Sequence, residues 1–201
     1  MSISGFSCAR LDPVSAPPDL PPLVRRALDL SRDQGFVSST RNETGWLLAS
    51  LAASRSGTMA ECGTGCGVGS AWLRSGIRDD VRIVTAELDS RLAAAVRELF
   101  EDDDRVEVLH ADWTTLRDYA PFSLLFLDVR EAKRGGPDFI TELVEPGGIV
   151  VLDDFTPCQG WPPMYEGRVD TIRQQWITDP RFTTAEVMVA PDASVLIATR
   201  R

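Results

Sequence analysis

The stretch that decides the fold of this chain reads Met59-Ala60-Glu61-Cys62-Gly63-Thr64-Gly65-Cys66-Gly67-Val68-Gly69-Ser70. Four alternating glycines follow a short apolar run and an acidic residue, and a helix-forming segment follows the glycines. Glycine readily adopts positive φ and lets the backbone approach a ligand closely, while the first N–H groups of a helix can bind a polar group. The stretch therefore predicts a strand-to-helix turn that binds a nucleotide-like cofactor, with a tight turn that binds nothing as the alternative.

The spacing of the glycines distinguishes between cofactors. The dinucleotide fingerprint needs its third glycine three residues after the second, where this chain has Val68. The pattern is instead E-x-G-x-G-x-G-x-G-S, which resembles motif I of the class I S-adenosylmethionine-dependent methyltransferases. The resemblance implies S-adenosylmethionine as the cofactor, its methionine part held by the acidic residue directly or through water. The contacts that it implies in this stretch are Glu61, Gly63, Thr64, Gly65, Gly67 and Ser70.

Composition narrows the classes of partner. A chain of 201 residues with 43% hydrophobic residues can bury a sizeable core and suits one domain. The net charge of −9 argues against nucleic acid or a membrane surface as the main partner, so we expect a small-molecule acceptor. The start at Met1 lacks the pattern of a secretion signal, and no apolar run approaches the roughly 18 residues of a membrane span, so a cytoplasmic location is expected.

The four cysteines do not form a disulfide framework. They lie at positions 8, 62, 66 and 158, and with a single histidine, His110, they make a poor zinc site. Cys62 and Cys66 are expected to be small packing residues in a reduced compartment.

Apolar runs alternate with helical patterns from residue 58 to about 155, which is typical of a parallel sheet. The predicted strands are Thr58–Glu61, Val81–Glu87, Val106–His110, Phe122–Asp128 and Gly148–Leu152. The predicted helices are Leu23–Gln34, Thr40–Ala53, Ser90–Phe100 (capped by Asp89 or Ser90), Phe139–Val144 and Arg168–Ile177.

The C-terminal pattern completes the predicted fold. Phe182–Val189 and Ser194–Thr199 flank a four-residue turn and predict an antiparallel hairpin. A mostly parallel sheet that ends in such a hairpin, with helices on both faces, is the Rossmann-like seven-stranded methyltransferase fold. We predict a single domain over 1–201, with a proline-rich, loosely ordered start (1–22), N-terminal helices (23–57), a cofactor-binding core (58–155), and an acceptor loop, helix and hairpin (156–201).

Acidic residues end the predicted strands, where open α/β sheets bind their ligands. Glu87, followed by Leu88, could accept both hydroxyls of a ribose, or could be a solvated residue before the next helix. In the resembled superfamily the region of Asp112 and Trp113 lies beside the adenine. Asp112 could equally cap the segment that starts at Thr114, and Trp113 could be an ordinary core or surface residue.

The fourth and fifth strands sharpen the resemblance. Asp128 ends Phe122-Ser-Leu-Leu-Phe-Leu-Asp128, and Asp153-Asp154 ends the next strand. These segments look like the metal-binding segments of catechol O-methyltransferase-like enzymes (O-methyltransferase family 3 type), which hold Mg²⁺ or Ca²⁺ with one aspartate and then an Asp-Asn pair. The resemblance implies Asp128, Asp153 and Asp154 as ligands, the last in place of asparagine, and Asp128 also beside the cofactor. Oxygen ligands suit a hard dication, which would lower the pKa of a chelated phenol. Without a metal, these aspartates could orient a substrate or cap a loop.

The general base departs from that family. The family lysine lies three residues after the first metal aspartate, where this chain has Glu131, and Lys133 lies two residues farther along. Glu131 could act as base, as a further metal ligand or as a surface charge, while Lys133 could replace the lost amine if the chain is re-routed.

The predicted function is methyl transfer from S-adenosylmethionine to an oxygen of a small aromatic hydroxylated acceptor, with a divalent metal assisting. The loop Phe155–Tyr165 is the expected acceptor wall, and residues 35–41 could pass over the cofactor, although Ser38 or Thr40 as a helix cap is the commoner pattern. A metal-independent methyltransferase and a non-catalytic S-adenosylmethionine-binding module are the alternatives. The sequence leaves open the acceptor, the pathway and the oligomeric state, a homodimer included.

Overall fold

A seven-stranded sheet forms the centre of the molecule in the computed structural model, which describes residues 19–158 and 160–201. Its strands are β1 Thr58–Cys62, β2 Arg82–Glu87, β3 Val106–His110, β4 Phe122–Leu127, β5 Val144–Phe155, β8 Phe182–Ala190 and β9 Ala193–Arg200. The spatial order is β3-β2-β1-β4-β5-β9-β8, with β1 to β5 parallel and the last two strands antiparallel. This is the predicted Rossmann-like methyltransferase sheet.

Helices cover both faces of the sheet. They are α1 Pro22–Asp33, α2 Asn42–Ala53, α3 Val68–Gly76, α4 Ser90–Leu99, α5 Arg130–Leu143 and α6 Thr171–Thr178, with a 3-10 helix at Trp113–Tyr119. A small separate hairpin pairs β6 Met164–Tyr165 with β7 Arg168–Val169.

Side chains alternate between two apolar layers along the central strands. Leu124 and Phe126 of β4 pack with α1 to α4 on one face, whereas Leu125 and Leu127 pack with α5 and α6 on the other. Successive side chains of a strand point to opposite faces, so a strand covered on both sides reads as a continuous apolar run. That is why Phe122–Leu127, buried at every position, was recognisable as a central strand.

Several predicted boundaries differ from the structure. Residues 168–177 are not one helix, because Arg168–Val169 pairs with β6 and α6 starts at Thr171, after its cap Asp170. The predicted helix Phe139–Val144 is the last part of α5, which begins at Arg130 and contains a non-helical residue at Gly136. Strand β5 begins at Val144 rather than Gly148, and the hairpin turn holds two residues rather than four.

The structure shows which of the predicted helix caps form. The cap prediction at Ser38 or Thr40 is wrong, since α2 begins at Asn42 after Arg41. The cap prediction at Asp89 is confirmed, because its carboxylate accepts from the N–H groups of Arg91 and Leu92. Most of the proline-rich start, and Cys8 with it, lies outside the described residues. No helix in residues 19–158 and 160–201 combines the length and apolar character needed to cross a membrane.

Two glycines let α2 and α3 pack closely. An added Cβ at Gly45 would lie 2.2 Å from Nε1 of Trp72, and one at Gly76 would lie 2.1 Å from the backbone oxygen of Ala49. Both distances are far below van der Waals contact, so a side chain at either position would push the helices apart. The end of the glycine-rich turn leads into α3 and the segment 36–40 leads into α2, so the close packing of these helices positions both.

We therefore predict that Gly76→Ala lowers the free energy of unfolding by about 1–3 kcal/mol, the usual cost of overpacking. The clash is with backbone, which a rotamer change cannot relieve. Equilibrium unfolding in urea measures the effect. Gly135→Ala is the matched control, because its Cβ would meet only Trp113 at 3.6 Å. Equal unfolding midpoints for the two variants would contradict the prediction.

Candidate functional site

A cavity of about 230 Å³ lies at the carboxyl ends of β1, β2 and β4, beside the glycine-rich turn. We call it the glycine-loop cavity. Of the predicted site residues, those that line it are Gly63, Thr64, Gly65, Glu87, Asp128 and Asp154. The structure therefore brings the turn together with Glu87 at the end of β2, Asp128 after β4 and Asp154 near the end of β5.

The backbone of the turn has the conformation that its sequence predicts. Gly63, Gly65 and Gly67 have φ values of 89°, 52° and 79°. An added Cβ at Gly63 would lie 2.4 Å from Val129, and one at Gly65 would lie 3.0 Å from the ring of Phe36. Gly67 instead faces α4, where a Cβ would lie 3.0 Å from Val96. Gly63 and Gly65 thus shape the cavity, and Gly67 seats α4 against the turn.

Glu61 is buried behind the turn. Its Oε2 accepts hydrogen bonds from the hydroxyls of Ser70 and Thr85, the latter at 2.8 Å. Its Oε1 has no hydrogen-bond partner within the described part of the chain, and an added Cβ at Gly69 would lie 2.1 Å from that oxygen. Burial raises the pKa of Glu61 to about 7, although the bonds from Ser70 and Thr85 oppose the rise. A buried carboxyl with one unsatisfied oxygen can receive a hydrogen bond from a ligand or a water molecule.

Glu87 holds the turn against the end of β2. Its Oε2 accepts from the N–H of Gly65 at 2.8 Å, and its Oε1 accepts from the N–H of Asp89 at 2.8 Å. The carboxylate also lines the glycine-loop cavity, at the position where the sequence predicted a ribose contact.

Six predicted cofactor contacts do not line the glycine-loop cavity: Glu61, Gly67, Ser70, Leu88, Asp112 and Trp113. Leu88 is 69% exposed. Asp112 accepts from the N–H and hydroxyl of Thr114 and so caps the 3-10 helix, which was the alternative function of this residue. Trp113 packs edge-on against Phe139, with ring centroids 5.2 Å apart. Ser70 and Gly67 lie behind the cavity wall, where Ser70 donates to Glu61 and Gly67 faces Val96 of α4.

The segment before α2 supplies cavity residues that motif reasoning underestimated. Phe36, Ser38, Ser39 and Thr40 line the glycine-loop cavity, together with Cys66, Val68 and Gly69 of the turn and its helix. Thr40 Oγ1 lies 3.4 Å from Asp128 Oδ2 and donates to it. The sequence indicated that residues 35–41 could pass over the cofactor, but the two serines and the threonine are equally typical of helix caps.

Three aspartates meet at one point at the ends of β4 and β5. One carboxylate oxygen from each of Asp128, Asp153 and Asp154 lies within 4.8 Å of the other two. Asp153 is buried and accepts from Thr44 Oγ1 at 3.2 Å, whereas Asp154 is exposed. We call these three residues the aspartate cluster. Its oxygen atoms fit the donor set that a hard divalent cation prefers.

Burial and mutual repulsion disfavour the charged forms of the aspartate cluster. Burial raises the pKa of Asp128 well above its usual value; Lys133 opposes the rise, and Asp154 and Asp153 add to it. Burial also raises the pKa of Asp153, with a further rise from Asp154. Nearby negative charges in a poorly solvated place disfavour ionisation of the three aspartates. A cation bound between them would favour their ionised forms.

Lys133 reaches the aspartate cluster and Glu131 does not. Both lie in the first turn of α5, because the segment after Asp128 is helical rather than a re-routed loop. Two residues along a helix correspond to roughly 200° of rotation, so the two side chains point to nearly opposite sides. Lys133 is buried with its Nζ 3.4 Å from Asp154 Oδ2, while Glu131 is exposed and lines neither cleft at this end of the sheet.

A second cleft, of about 400 Å³, lies on the other side of the aspartate cluster. Its walls include Asp128, Lys133 and Asp154, with Phe155 and Tyr165 from the predicted acceptor wall. We call it the inner cleft. Because Asp128 and Asp154 line both spaces, the aspartate cluster forms their common boundary.

Known proteins resemble this chain in sequence and fold. Residues 60–155 match a family described as a methyltransferase domain. A probable O-methyltransferase of Mycobacterium tuberculosis is 31% identical over 163 residues, which cover 76% of this chain and 63% of that protein. The chain thus spans less than two thirds of the length of this curated relative.

Solved structures share the fold. The O-methyltransferase from Bacillus cereus in complex with SAH is 19% identical, with a TM-score of 0.70 over 93% of this chain and 94% of that chain. The O-methyltransferase TomG from Streptomyces achromogenes, in complex with SAM, is 20% identical, with a TM-score of 0.70 over 91% and 92% of the two chains. At this identity the likeness establishes the fold.

The substitution Glu61→Gln tests whether burial behind the glycine-rich turn raises the pKa of Glu61. A carboxyl whose pKa is raised on folding stabilises the fold below its unfolded pKa, and that contribution is lost as pH rises through the folded pKa of about 7. We therefore expect wild type to lose up to roughly 3 kcal/mol relative to Glu61→Gln between pH 5 and pH 8. Urea unfolding of both proteins across this range measures the difference. Glutamine keeps an acceptor for Ser70 and Thr85, so parallel pH profiles would contradict the burial argument.

Proposed function

We propose that this chain is a class I S-adenosylmethionine-dependent methyltransferase and that it transfers a methyl group to a hydroxyl oxygen of a small aromatic acceptor, with a divalent cation assisting. The observation that supports the proposal is that the glycine-loop cavity and the inner cleft share a wall. Asp128 and Asp154 line both the glycine-loop cavity and the inner cleft, and Lys133 lies at the same point. A donor in one space and an acceptor in the other would meet there.

The glycine-loop cavity supports the cofactor assignment. Its glycines let the backbone approach the ligand closely, and Glu87 offers a carboxylate at the end of β2. The unsatisfied oxygen of Glu61 behind the turn can accept from a bridging water or from the amino group of the methionine part. The ring of Phe36 lies over Gly65 and would exclude water from the bound cofactor. The SAH and SAM complexes of the structural relatives agree with this assignment.

The aspartate cluster fits a divalent cation on donor chemistry and spacing. Asp128, Asp153 and Asp154 would hold Mg²⁺ or Ca²⁺ through carboxylate oxygens. Such a cation, when bound, lowers the pKa of a coordinated phenol and fixes its oxygen. The buried Thr44 hydroxyl orients Asp153, and Thr40 orients Asp128.

Lys133 is the group placed to receive the acceptor proton. In its neutral form, its Nζ can take the hydroxyl proton while the oxygen attacks the sulfonium methyl in line. The C–S bond breaks as the C–O bond forms, which leaves S-adenosylhomocysteine and a methyl ether. The chain's contribution is therefore positioning and deprotonation, which together supply most of the rate in such displacements.

A metal-independent methyltransferase is the second candidate, and one observation favours it. The Lys133 ammonium lies 3.4 Å from Asp154 and already places a positive charge beside the aspartate cluster. In that case the aspartates would orient the acceptor by hydrogen bonds. The metal titration described next separates the two candidates.

We predict that Mg²⁺ or Ca²⁺ binds at one site in protein saturated with S-adenosylhomocysteine, and that Asp128→Ala abolishes this binding. Calorimetric titration measures the metal, after a separate titration has confirmed cofactor binding in both proteins. Asp104→Ala is the control, because this exposed acid lies at the opposite end of the sheet. Turnover that survives a chelator, together with no metal binding, would select the metal-independent candidate.

We further predict that Lys133→Met lowers kcat by about 10²–10⁴-fold, the usual contribution of a general base. Affinity for S-adenosylhomocysteine should stay unchanged, since Lys133 does not line the glycine-loop cavity. Glu131→Gln should retain wild-type turnover, because its side chain is exposed on the opposite side of α5. The reverse ranking of the two variants would make Glu131 the base.

A further inference from the structure

The inner cleft continues into a third space on the side away from the cofactor. This outer cleft, of about 660 Å³, shares Arg134 and Tyr165 with the inner cleft, but not Asp128 or Asp154. The shared walls place the glycine-loop cavity, the inner cleft and the outer cleft in a row. An acceptor whose hydroxyl lies at the aspartate cluster would therefore extend toward Arg134.

Three arginines line this far end. Arg130 and Arg134 line the inner cleft, and Arg134 and Arg168 line the outer cleft. Within residues 19–158 and 160–201, none of the three side chains makes a hydrogen bond or an ion pair, whereas surface arginines such as Arg41 and Arg181 are paired with aspartates. Three unpaired cations along two adjoining clefts stand out in a chain whose net charge is −9.

The acids at the same walls do not neutralise these arginines. Asp170 is paired with the buried Arg173, at 3.3 Å, and Asp154 is paired with Lys133. Asp128 lies at the cofactor end, and Glu166 is the remaining acid of the outer cleft. The far end thus carries an excess of unpaired positive charge.

Local geometry places the three arginines along the two adjoining clefts, with Arg134 common to both. Arg130 and Arg134 are four residues apart on α5 and so lie on the same side of the helix. Arg168 comes from β7 of the small hairpin, whose Tyr165 is 48% exposed and lines both clefts. Phe155, Ile172 and Tyr165 supply apolar wall between the aspartate cluster and the arginines.

We propose that the acceptor carries an oxyanion group, a carboxylate or a phosphate, at the end opposite to its methylated hydroxyl, and that Arg134 with Arg168 and Arg130 binds this group. The inference rests on the proposed function and deepens it by assigning the acceptor class. A guanidinium presents paired N–H donors that match both oxyanions, and an apolar wall between the two polar ends suits an aromatic ring.

The test compares three catechol acceptors with the same ring: protocatechuate, its neutral amide and the corresponding phosphonate. We expect kcat/KM for at least one anionic acceptor to exceed that for the amide by roughly tenfold or more. Added salt should raise KM for the anion and leave KM for the amide unchanged, because the arginines are exposed. The preferred anion distinguishes a carboxylate from a phosphate.

Substitutions of the arginines test whether these side chains cause the preference for an anionic acceptor. Arg134→Gln and Arg168→Gln should remove the preference for the anion, so that kcat/KM for the anion falls to the value that the same variant shows for the amide. Arg82→Gln is the control, since Arg82 lies at the start of β2, at the opposite end of the sheet. An amide that is methylated as efficiently as both anions would overturn the inference and leave the proposed function intact.

A binding measurement separates the two proposals. Protocatechuate and the phosphonate are titrated by calorimetry into protein saturated with S-adenosylhomocysteine, for wild type and Arg134→Gln. If no acceptor is methylated but an anion binds to wild type and is lost in the variant, the arginine site stands and the catechol chemistry fails. If neither anion binds and neither is preferred in turnover, the arginine site is wrong.

Discussion

The structure depends on how closely other elements approach the turn between β1 and α3. Each of its four glycines faces a different neighbour: Val129 after β4, Phe36 before α2, Val96 on α4, and Glu61 on β1. A Cβ at any of the four would lie 3.0 Å or less from one of these groups. The turn is therefore a junction at which the sheet, two helical segments and the cavity meet. The proposed cofactor and core packing impose the same requirement on the same residues, so the stretch that predicts function also predicts the fold.

Buried acidity is the second constraint, and it explains the surroundings of the site. Glu61, Asp128 and Asp153 all have raised pKa values because burial disfavours their charged forms. Hydroxyl groups of Ser70, Thr85, Thr40 and Thr44 offset part of that cost by donating to them. Positive charge placed beside these acids would favour their charged forms again, and the proposed sulfonium cofactor and divalent cation would supply it. A fold that needed only stability would replace them with apolar residues.

The sequence predicted the sheet well and the site in part. Strands such as β4 are buried on both faces, so their apolar runs are direct consequences of the fold. The aspartate cluster was also predictable, because the carboxyl ends of neighbouring parallel strands meet at one edge. For Asp112 the sequence left a cofactor contact and a helix cap open, and the structure shows the cap, with the N–H and hydroxyl of Thr114 donating to its carboxylate. For residues 35–41 the sequence left a path over the cofactor and a helix cap open, because the position of this segment depends on packing between distant parts of the chain. The division into a single domain with four parts stays a prediction.

The start of α5 shows why spacing alone misleads at the base position. A fixed count from Asp128 selects Glu131, but the rotation of the helix is set by what it buries. Ala132 packs against the sheet, and Trp176 Nε1 donates to the carbonyl oxygen of Lys133 at 3.3 Å. These contacts turn Lys133 toward the aspartate cluster and Glu131 toward solvent. The same rotation brings Arg130 and Arg134 to the inner cleft. The rotation of α5 about its axis therefore determines both the position of Lys133 at the aspartate cluster and the position of the arginines along the acceptor space. A single-residue insertion before α5 would change both positions together.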